Sequence, residues 1–322
     1  MTRVLIIRPS SLGDIVHSLP IVHDMHSHCP NLVVDWVAEE PFLALVRLSR
    51  GVRHVIPVAL RRWRHRVLSR STWREMKAFR SELVHDRYDA IIDLQEQVKG
   101  ALIAWLARGP VHGPARASMR EPVAALLYRH NYPISARQHL IDRCRLLAGK
   151  ALGYKPEGRP RFDLSPPRID IGPALPFVVC LHSASRDEKL WPEAHWKALL
   201  EFITQAGLVA VLPWGNSVER SRSQRLAETA PGITVPPWHT LPELSALLTR
   251  AKLVVGVDTG LTHLAAALGA PTVALFTVTD PLLNGTERMS ALARDVGGNG
   301  VTPEPSTVIA AAGSILRGLP SC

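Results

Sequence analysis

The sequence predicts an α/β protein made of two doubly wound domains, each built on a parallel sheet, that face each other across a cleft. Two observations predict this fold class. The chain has 322 residues and 46% hydrophobic content, which fits two cores of ordinary size. Short apolar runs also alternate with helix-length amphipathic segments, and such runs are typical of parallel sheets that are buried on both faces.

The predicted strands are eight apolar, β-prone runs, four in each half of the chain. They are Val4–Ile7, Leu32–Val37, Val55–Val58, Ala90–Leu94, Phe177–Leu181, Val209–Leu212, Leu253–Val257 and Thr272–Phe276. Ligands of open α/β sheets bind beyond the carboxyl ends of the strands. Functional motifs are therefore expected directly after strands.

Six prolines crowd the segment between residues 156 and 176, which has little helical or strand periodicity. We therefore place an N-terminal domain at residues 1–160, a linker at 161–176 and a C-terminal domain at 177–322. The final helix is a candidate to pack back on the N-terminal domain.

The net charge of +10 belongs to the first half of the chain. Residues 1–160 carry 25 Lys and Arg against 14 Asp and Glu, whereas residues 161–322 carry 13 against 14. This asymmetry predicts an anionic partner, such as nucleic acid, acidic lipid headgroups or a phosphorylated substrate. No apolar stretch approaches the roughly 20 residues that span a bilayer, and no cysteines form a CxxC pair, so we expect a cytoplasmic protein with reduced thiols.

A polar motif, Arg8–Asp14, follows the first strand and leads into a helical segment. Asp14 falls in the first helical turn, where a carboxylate either complements the helix dipole or acts as a general base towards a sugar hydroxyl. The helix start lowers the pKa of such a carboxylate and keeps it ionised. The G-x-G-x-x-G fingerprint is absent from this turn, which argues against an NAD enzyme.

A second motif, Asp258-Thr259-Gly260, joins the strand Leu253–Val257 to a helix. Free N–H groups at such a helix start suit a diphosphate. Asp258 would repel that diphosphate, so its carboxylate is better explained by hydrogen bonds to sugar hydroxyls. The alternative is that Asp258 and Thr259 merely cap the helix. His263 in the first turn is either a core residue or a further contact to the anion.

Two other polar segments follow strands in the second half. The segment His182–Pro192 contains Ser185 and Lys189, which suit phosphate oxygens and the charge of a leaving nucleotide, unless the loop is simply solvated. The segment Pro213–Gly215 precedes Glu219, which is also compatible with an ordinary helix-start acid.

The segment Arg61–Arg66 places four arginines around Trp63. Arginine forks suit phosphate and carboxylate groups, and an indole suits a sugar face or a membrane interface. Lys99 and Arg120 either extend this basic surface or are plain surface charges. Basic residues interleaved with aromatic ones also occur in nucleic-acid-binding proteins, but no helix-turn-helix, zinc-finger or RNP pattern accompanies them.

Together and in order, these motifs resemble the lipopolysaccharide heptosyltransferases over nearly the whole chain, the type I enzymes more than type II. The resemblance rests on Ser10-Ser11-Leu12-Gly13-Asp14, Asp35-Trp36-Val37-x-Glu39-Glu40, Arg61-Arg62-Trp63-Arg64, Arg120-Glu121-Pro122, Arg186–Lys189 with Trp191-Pro192, Pro213-Trp214-Gly215 and Asp258-Thr259-Gly260-Leu261-Thr262-His263. It implies two Rossmann-like domains of the GT-B type. It also implies an inverting, metal-free transfer of heptose from ADP-L-glycero-D-manno-heptose to the Kdo sugar of Kdo-lipid A.

The resemblance further implies roles for individual residues. Asp14 is the expected catalytic base. Glu219 is expected at the ribose, His239 beside the adenine and Asp258 at the heptose. The other expected donor-binding residues are Ser185, Lys189, Thr259, Gly260 and His263. The expected acceptor-binding residues are Ser10, Ser11, Gly13, Arg61, Arg62, Arg64, Lys99 and Arg120.

Two positions depart from the family pattern. Ala184-Ser185 stands where relatives often carry two threonines, so only Ser185 retains a hydroxyl. Gln95-Glu96 stands where relatives have a Gln-Gly pair, which adds a carboxylate near the expected acceptor side.

The expected partners are ADP-heptose, Kdo-lipid A and the cytoplasmic surface of the inner membrane of a Gram-negative bacterium. We expect no cofactor, no metal ion, no nucleic acid and a monomeric chain. Three alternatives stay open: a type II enzyme that extends an already heptosylated core, a nucleic-acid-binding protein that uses the Arg61–Arg66 segment, and a non-catalytic nucleotide-binding module.

Overall fold

A computed structural model describes residues 1–318, which form two compact units that divide between Ser165 and Pro166. The division falls inside the segment 161–176, where the linker was placed. Phe162 is buried, and Leu164 pairs with Ser49 in an isolated β-bridge, so the start of that segment packs with the first unit. In the described part of the chain, no helix is both long and apolar enough to cross a bilayer.

The first unit is a six-stranded parallel sheet flanked by helices. Its strands are β1 (Thr2–Ile7), β2 (Leu32–Glu39), β3 (Val52–Val58), β4 (Ala90–Asp93), β5 (Val111–Pro114) and β6 (His130–Tyr132). Its helices are α1 (Leu12–Ser18), α2 (Pro20–His28), α3 (Leu43–Val46), α4 (Leu60–Trp63), α5 (Arg70–Leu83), α6 (Val98–Leu106) and α7 (Leu140–Leu152), with 3-10 turns at Glu40–Phe42, Arg116–Ser118 and Pro122–Leu127.

The second unit repeats this plan. Its strands are β7 (Phe177–Leu181), β8 (Val209–Val211), β9 (Ile233–Thr234), β10 (Leu253–Val257), β11 (Thr272–Phe276) and β12 (Ala293–Gly297). Its helices are α8 (Glu193–Gln205), α9 (Ser217–Ala227), α10 (Leu241–Arg250), α11 (Gly260–Ala267), α12 (Pro281–Asn284) and α13 (Pro305–Gly318), with a 3-10 turn at Asp187–Lys189.

Both sheets have the strand order of a Rossmann fold. The first runs β3-β2-β1-β4-β5-β6 and the second β12-β11-β10-β7-β8-β9, which is the same order when each unit is counted from its own first strand. The prediction of two doubly wound α/β domains is confirmed. All eight predicted strands are present, and the four that were missed, β5, β6, β9 and β12, are short or interrupted by polar residues, Gly or Pro.

Each sheet has one switch point, where neighbouring strands lead to helices on opposite sides. In the first unit β1 lies beside β4, with Ile7 paired to Asp93. In the second unit β7 lies beside β10, with Leu181 paired to Gly256. Ligands of this fold bind at the carboxyl ends of these two central strands.

The final helix α13 packs on its own unit. Val308 and Ala312 are fully buried in one apolar cluster with Trp191 and Trp196, and α13 contacts α8 and the strands of the second sheet. Its apolar positions therefore complete the core of that unit. The expectation that the final helix also packs back on the N-terminal domain stays a prediction.

Candidate active site

Asp14 lies in the first turn of α1, directly beyond β1 at the switch point of the first unit. One carboxylate oxygen accepts hydrogen bonds from the backbone N–H (3.0 Å) and the hydroxyl (3.1 Å) of Ser11. The other oxygen lies 3.3 Å from Nη2 of Arg8, and 36% of the side chain is exposed. The carboxylate is thus held in place while it stays accessible to a substrate hydroxyl.

Arg8 opposes the effect of burial on the pKa of Asp14. Burial raises the pKa of Asp14, but the positive charge of Arg8 and the hydrogen bonds from Ser11 outweigh burial, so the pKa lies below its ordinary value. The guanidinium of Arg8 is buried and donates to the carbonyl of Leu94. Asp14 is therefore ionised at neutral pH, which is the state that a general base requires.

A second carboxylate, Asp93, is fully buried at the end of β4. It accepts hydrogen bonds from the Tyr128 hydroxyl (2.7 Å) and from the backbone N–H of Gln95 (2.8 Å). Burial raises the pKa of Asp93 to about 7. Because it has no exposed surface, Asp93 holds the turn after β4 and does not itself contact a substrate.

Three predicted acceptor residues lie with Asp14 in the turn after β1 and the first turn of α1. Ser10 is buried, with its N–H 3.4 Å from the side-chain oxygen of Gln95, whereas Ser11 is exposed and Gly13 is half-buried. The structure brings these residues to one edge of the sheet. Contact between them and an acceptor stays a prediction.

Glu96 follows β4 with a backbone φ of 58°, a left-handed conformation that favours glycine. This conformation gives a physical reason for the glycine that relatives carry there. Its carboxylate accepts two hydrogen bonds from Nη2 of Arg143, at 2.7 and 2.6 Å, and both side chains are largely buried. The additional carboxylate is therefore neutralised inside the unit and does not leave an unpaired negative charge on the acceptor side.

Trp63 is a core residue. Its ring lies 5.7 Å from that of Phe79, and its indole N–H donates to Glu75 at 2.8 Å. The interpretation of this indole as a contact to a sugar face or a membrane is wrong, because its position on α4 points it into the apolar layer below α5.

The three predicted acceptor arginines of the segment Arg61–Arg66 have different surroundings. Arg62 forms ion pairs with Glu40 and Glu75, both at 2.8 Å. Arg61 and Arg64 are exposed. Of the three, Arg62 is already neutralised by two carboxylates, so Arg61 and Arg64 carry the charge that is available to an anionic acceptor.

Lys99 and Arg120 are both exposed, on α6 and in the turn between two 3-10 helices. Lys99 and Arg61 act on the same buried carboxylate, that of Glu39 at the end of β2. Burial raises the pKa of Glu39, although the Arg61 N–H and the charges of Arg61 and Lys99 oppose that rise. Lys99 and Arg61 thus belong to one basic area at the carboxyl edge of the first sheet.

Asp258 is the centre of the candidate donor site, at the end of β10. Its carboxylate accepts a hydrogen bond from Nζ of Lys189 at 2.6 Å and lies 3.1 Å from Nε2 of His263. Burial raises the pKa of Asp258, but His263, Lys189 and Thr279 outweigh burial and hold the pKa well below its usual range. The charge of this carboxylate is therefore balanced locally, which reduces its repulsion of a nearby diphosphate.

The start of α11 is open. Thr259 is the N-cap residue, yet its side chain makes no capping hydrogen bond, and the carboxylate of Asp258 is held by Lys189 and His263. The alternative that Asp258 and Thr259 merely cap this helix is thus wrong. The N–H groups of Gly260 and Leu261 precede the first backbone hydrogen bond of this helix, which runs from the Thr262 N–H to the Thr259 carbonyl at 3.1 Å. They carry the positive end of the helix dipole, which suits an anion.

Close packing fixes this helix start on the sheet. The Thr262 hydroxyl donates to the carbonyl of Val257 at 2.7 Å. A Cβ on Gly256 would lie 2.2 Å from that hydroxyl oxygen, so this position of β10 requires glycine. The 3-10 turn that carries Lys189 is attached in turn to β11, because the Thr277 hydroxyl donates to the carbonyl of Glu188 at 2.7 Å.

The remaining predicted donor residues lie at the carboxyl edge of the second sheet. Ser185 is exposed in the loop after β7. Glu219 in the first turn of α9 accepts hydrogen bonds from the Gly215 N–H (2.7 Å) and the Asn216 side chain (2.9 Å). An acidic residue that only caps the start of a helix would have the same geometry. His239 is half-buried, directly before the N-cap of α10. The roles of these residues with a nucleotide stay predictions.

Two residues that shape these sites were not predicted from the sequence. Arg8 was part of a motif but received no role, although a charged residue directly after a buried strand was the available indication. Thr279, which helps to hold the pKa of Asp258 low, follows β11 in a segment that no motif marked. Within residues 1–318, no group of three His, Cys, Asp or Glu side chains could hold a metal ion.

One Rossmann sheet with an ionised, accessible carboxylate, and a second with an open helix start beside a Lys–Asp–His cluster, are the features of a glycosyltransferase of the GT-B class. Comparison with known proteins gives the family. The profile of glycosyltransferase family 9 (heptosyltransferase) matches residues 76–305. The chain belongs to this family.

Individual relatives agree with this assignment. The chain is 41% identical over 287 residues, 88% of its length and 90% of the relative's, to lipopolysaccharide heptosyltransferase 1 of Salmonella typhimurium. The structure of E. coli heptosyltransferase WaaC with ADP matches with a TM-score of 0.88 and 37% identity, covering 98% of this chain and 99% of that one. WaaC with ADP-2-deoxy-2-fluoro heptose matches with a TM-score of 0.83 and 36% identity, over 98% and 99% of the two chains.

A type II relative is more distant. Lipopolysaccharide heptosyltransferase 2 of Salmonella typhimurium is 26% identical over 308 residues, 87% of this chain and 84% of that protein. The chain is thus a lipopolysaccharide heptosyltransferase that is similar to the type 1 enzymes, and the prediction of a glycosyltransferase is confirmed.

Proposed function

We propose that this heptosyltransferase transfers L-glycero-D-manno-heptose from ADP-heptose to a Kdo hydroxyl of Kdo-lipid A, with inversion at the anomeric carbon. The observation that carries the proposal is the ionised, accessible carboxylate of Asp14 at the switch point of the first sheet. The donor is supported by the similar WaaC structures, which hold ADP and a fluorinated ADP-heptose.

The reaction is a single displacement. Asp14 accepts the proton of the Kdo hydroxyl while the oxygen of that hydroxyl forms a bond to the anomeric carbon of the donor. The bond between that carbon and the β-phosphate oxygen breaks, and its electron pair leaves with ADP. Asp14 afterwards releases its proton to water, so charge and atoms balance over the cycle.

The leaving diphosphate is stabilised by groups of the second unit. Lys189 supplies a cation, Ser185 a hydroxyl, and Thr259 and Gly260 the free N–H groups at the start of α11. Asp258, held by Lys189 and His263, is oriented towards hydroxyls of the heptose. These groups suffice without a metal ion, so activity in EDTA should equal activity with added magnesium. A requirement for magnesium would contradict this part of the proposal.

The acceptor is an acidic sugar-lipid, which agrees with the exposed Arg61, Arg64 and Lys99 at the carboxyl edge of the first sheet. We further propose that the protein is monomeric and acts at the cytoplasmic face of the inner membrane. Acceptors that differ by one heptose separate this function from that of a type II enzyme, which would use only the heptosylated core.

The decisive experiment compares wild type, Asp14→Asn and Asp142→Asn with ADP-heptose and Kdo-lipid A. Asp142 occupies the same first-turn position of α7, so its variant controls for the loss of a helix-start charge. Asp14→Asn should lower kcat by roughly 10²- to 10⁴-fold, with ADP affinity unchanged, while Asp142→Asn stays active. Failure of the wild type to transfer heptose would refute the function, and full activity of Asp14→Asn would refute only the role of Asp14.

A further inference from the structure

One side of the first unit concentrates exposed apolar side chains. Nine of the eighteen large hydrophobic side chains that are exposed in the described residues lie between positions 67 and 126. They are Val67, Leu68, Trp73, Met76, Leu102, Trp105, Leu106, Val123 and Leu126. Soluble monomers rarely expose apolar groups in such density unless the surface binds something.

These side chains belong to one layer of the fold. Phe79 of α5, Ala104 of α6 and Ala124 of the 3-10 turn Pro122–Leu127 are buried in a single core cluster against the sheet. Seven of the nine exposed residues are on the opposite sides of the same elements, and Val67 and Leu68 lie just before α5. Trp73 of α5 and Trp105 of α6 are each 61% exposed. We call the outward side of α5, α6 and this turn the outer face.

The outer face is also basic. On and around α5 the exposed cations are Arg64, Arg66, Arg70, Arg74, Lys77 and Arg80, and around α6 they are Lys99, Arg108, Arg116 and Arg120. Tryptophan and leucine side chains mixed with lysine and arginine are the composition of surfaces that lie in the headgroup region of a bilayer. A protein partner of ordinary composition would not need so many unpaired cations.

We propose that the outer face docks on an anionic phospholipid bilayer, with Trp73, Trp105 and Leu126 entering the headgroup region and the arginines contacting lipid phosphates. Attraction between the basic residues and anionic headgroups selects the partner, and burial of the apolar side chains holds it. We expect stable attachment to need both the electrostatic attraction and the apolar burial, because the few exposed apolar side chains bury little area by themselves.

The position of the outer face fits the reaction, and this step rests on the proposed function. Lys99 at the start of α6 and Arg70 at the start of α5 lie towards the carboxyl edge of the sheet, where Asp14 is also found. A lipid acceptor whose acyl chains remain in the bilayer can therefore present its sugar to that edge without leaving the membrane.

Flotation with lipid vesicles tests the docking without donor or acceptor present. Wild type should float with vesicles of phosphatidylcholine mixed with phosphatidylglycerol, and weakly with phosphatidylcholine alone. The double variant Trp105→Ser with Leu126→Ser should bind the anionic vesicles roughly tenfold less or weaker. Arg70→Gln with Arg74→Gln should weaken binding to the anionic vesicles and leave the weak binding to phosphatidylcholine unchanged.

The matched control is Leu292→Ser with Val301→Ser, which removes two exposed apolar side chains from the second unit and should float like wild type. Circular dichroism checks folding, and Trp73→Ser with Met76→Ser provides an independent pair on the same face. Equal flotation of wild type and both face pairs would overturn the proposal. A wild-type dimer in sedimentation that the face pairs dissociate would also overturn it, since the face would then bind a second copy.

Transfer to a water-soluble, deacylated acceptor separates this inference from the function. The face pairs should use that acceptor at the wild-type rate, although they transfer more slowly to Kdo-lipid A in vesicles. If wild type floats but transfers no heptose to either acceptor, the docking stands and the proposed function fails.

Discussion

Nζ of Lys189 lies 2.6 Å from Oδ2 of Asp258, and this contact joins the loop after β7 to the end of β10 across the switch point of the second sheet. Both side chains are largely buried, and His263 approaches the other carboxylate oxygen. The three side chains form one cluster in which the negative charge of Asp258 is balanced inside the candidate donor site.

Replacement of Lys189 by methionine should weaken ADP binding by roughly ten- to a hundredfold, because a charge-assisted contact to phosphate is lost. Isothermal titration calorimetry with ADP measures this effect. Lys197→Met on the exposed side of α8 is the control with the same side-chain length. If Lys189→Met lowers the stability to urea but leaves the Kd for ADP unchanged, the lysine only neutralises Asp258.

Replacement of Arg8 by glutamine should shift the acid limb of the pH profile. Asp14 works ionised, so kcat/KM falls as the pH drops through the pKa of Asp14, and Arg8 keeps that pKa low. Without the guanidinium the pKa rises, and the acid limb should move to higher pH. Arg8→Lys retains the charge and should keep the limb near its wild-type position. A lower rate with an unmoved limb would mean that Arg8 acts on packing alone.

The sequence predicted the central strands of both sheets well, because the strands around each switch point are buried on both faces and consist of uninterrupted apolar residues. It missed β5, β6, β9 and β12, where polar residues, Gly or Pro interrupt runs of two to five residues. The direction of a side chain was equally hard to predict: nothing local in Arg61–Arg66 tells that Trp63 enters the core while its neighbours remain outside.

Site residues on a single turn were predictable, and their partners from other turns were not. Asp258 stands out because it directly follows a buried strand, and Asp14 because it lies in the first turn of the helix after one. Arg8 and Lys189 lie beside these two carboxylates only in the folded protein, where Arg8 approaches Asp14 and Lys189 approaches Asp258. The same holds for Glu96, whose left-handed backbone and pairing with Arg143 depend on the distant helix α7.

His182 should make the second unit sensitive to acid. Burial and the nearby Arg222 lower its pKa from 6.5 to about 4, so the folded state holds this ring neutral. Between these two values the unfolded chain binds a proton that the folded one does not, and stability is lost as the pH falls. Urea unfolding at pH 7 and pH 5 should show a smaller loss for His182→Gln than for wild type. Parallel losses in both proteins would contradict this expectation.

The buried ion pair between Asp24 of α2 and Arg145 of α7 should be the most sensitive stability contact of the first unit. Nε of Arg145 lies 2.6 Å from the carboxylate, and the same guanidinium donates to the carbonyls of Glu157 and Gly158. Loss of one partner leaves the other charge buried and unpaired, which costs about 3–5 kcal/mol. Asp24→Asn should therefore lower the free energy of unfolding in urea by about that amount.

Arg145→Met should be more harmful than Asp24→Asn, because it also leaves two backbone carbonyls without their donor. Adding Asp24→Leu to Arg145→Met removes the stranded carboxylate and should recover part of the loss. The exposed pair of Asp170 with Arg250 is the control, since Asp170→Asn should change the free energy of unfolding by less than about 1 kcal/mol. If Asp24→Asn proves as mild as Asp170→Asn, water reaches the Arg145 guanidinium and the pair does not hold α2 to α7.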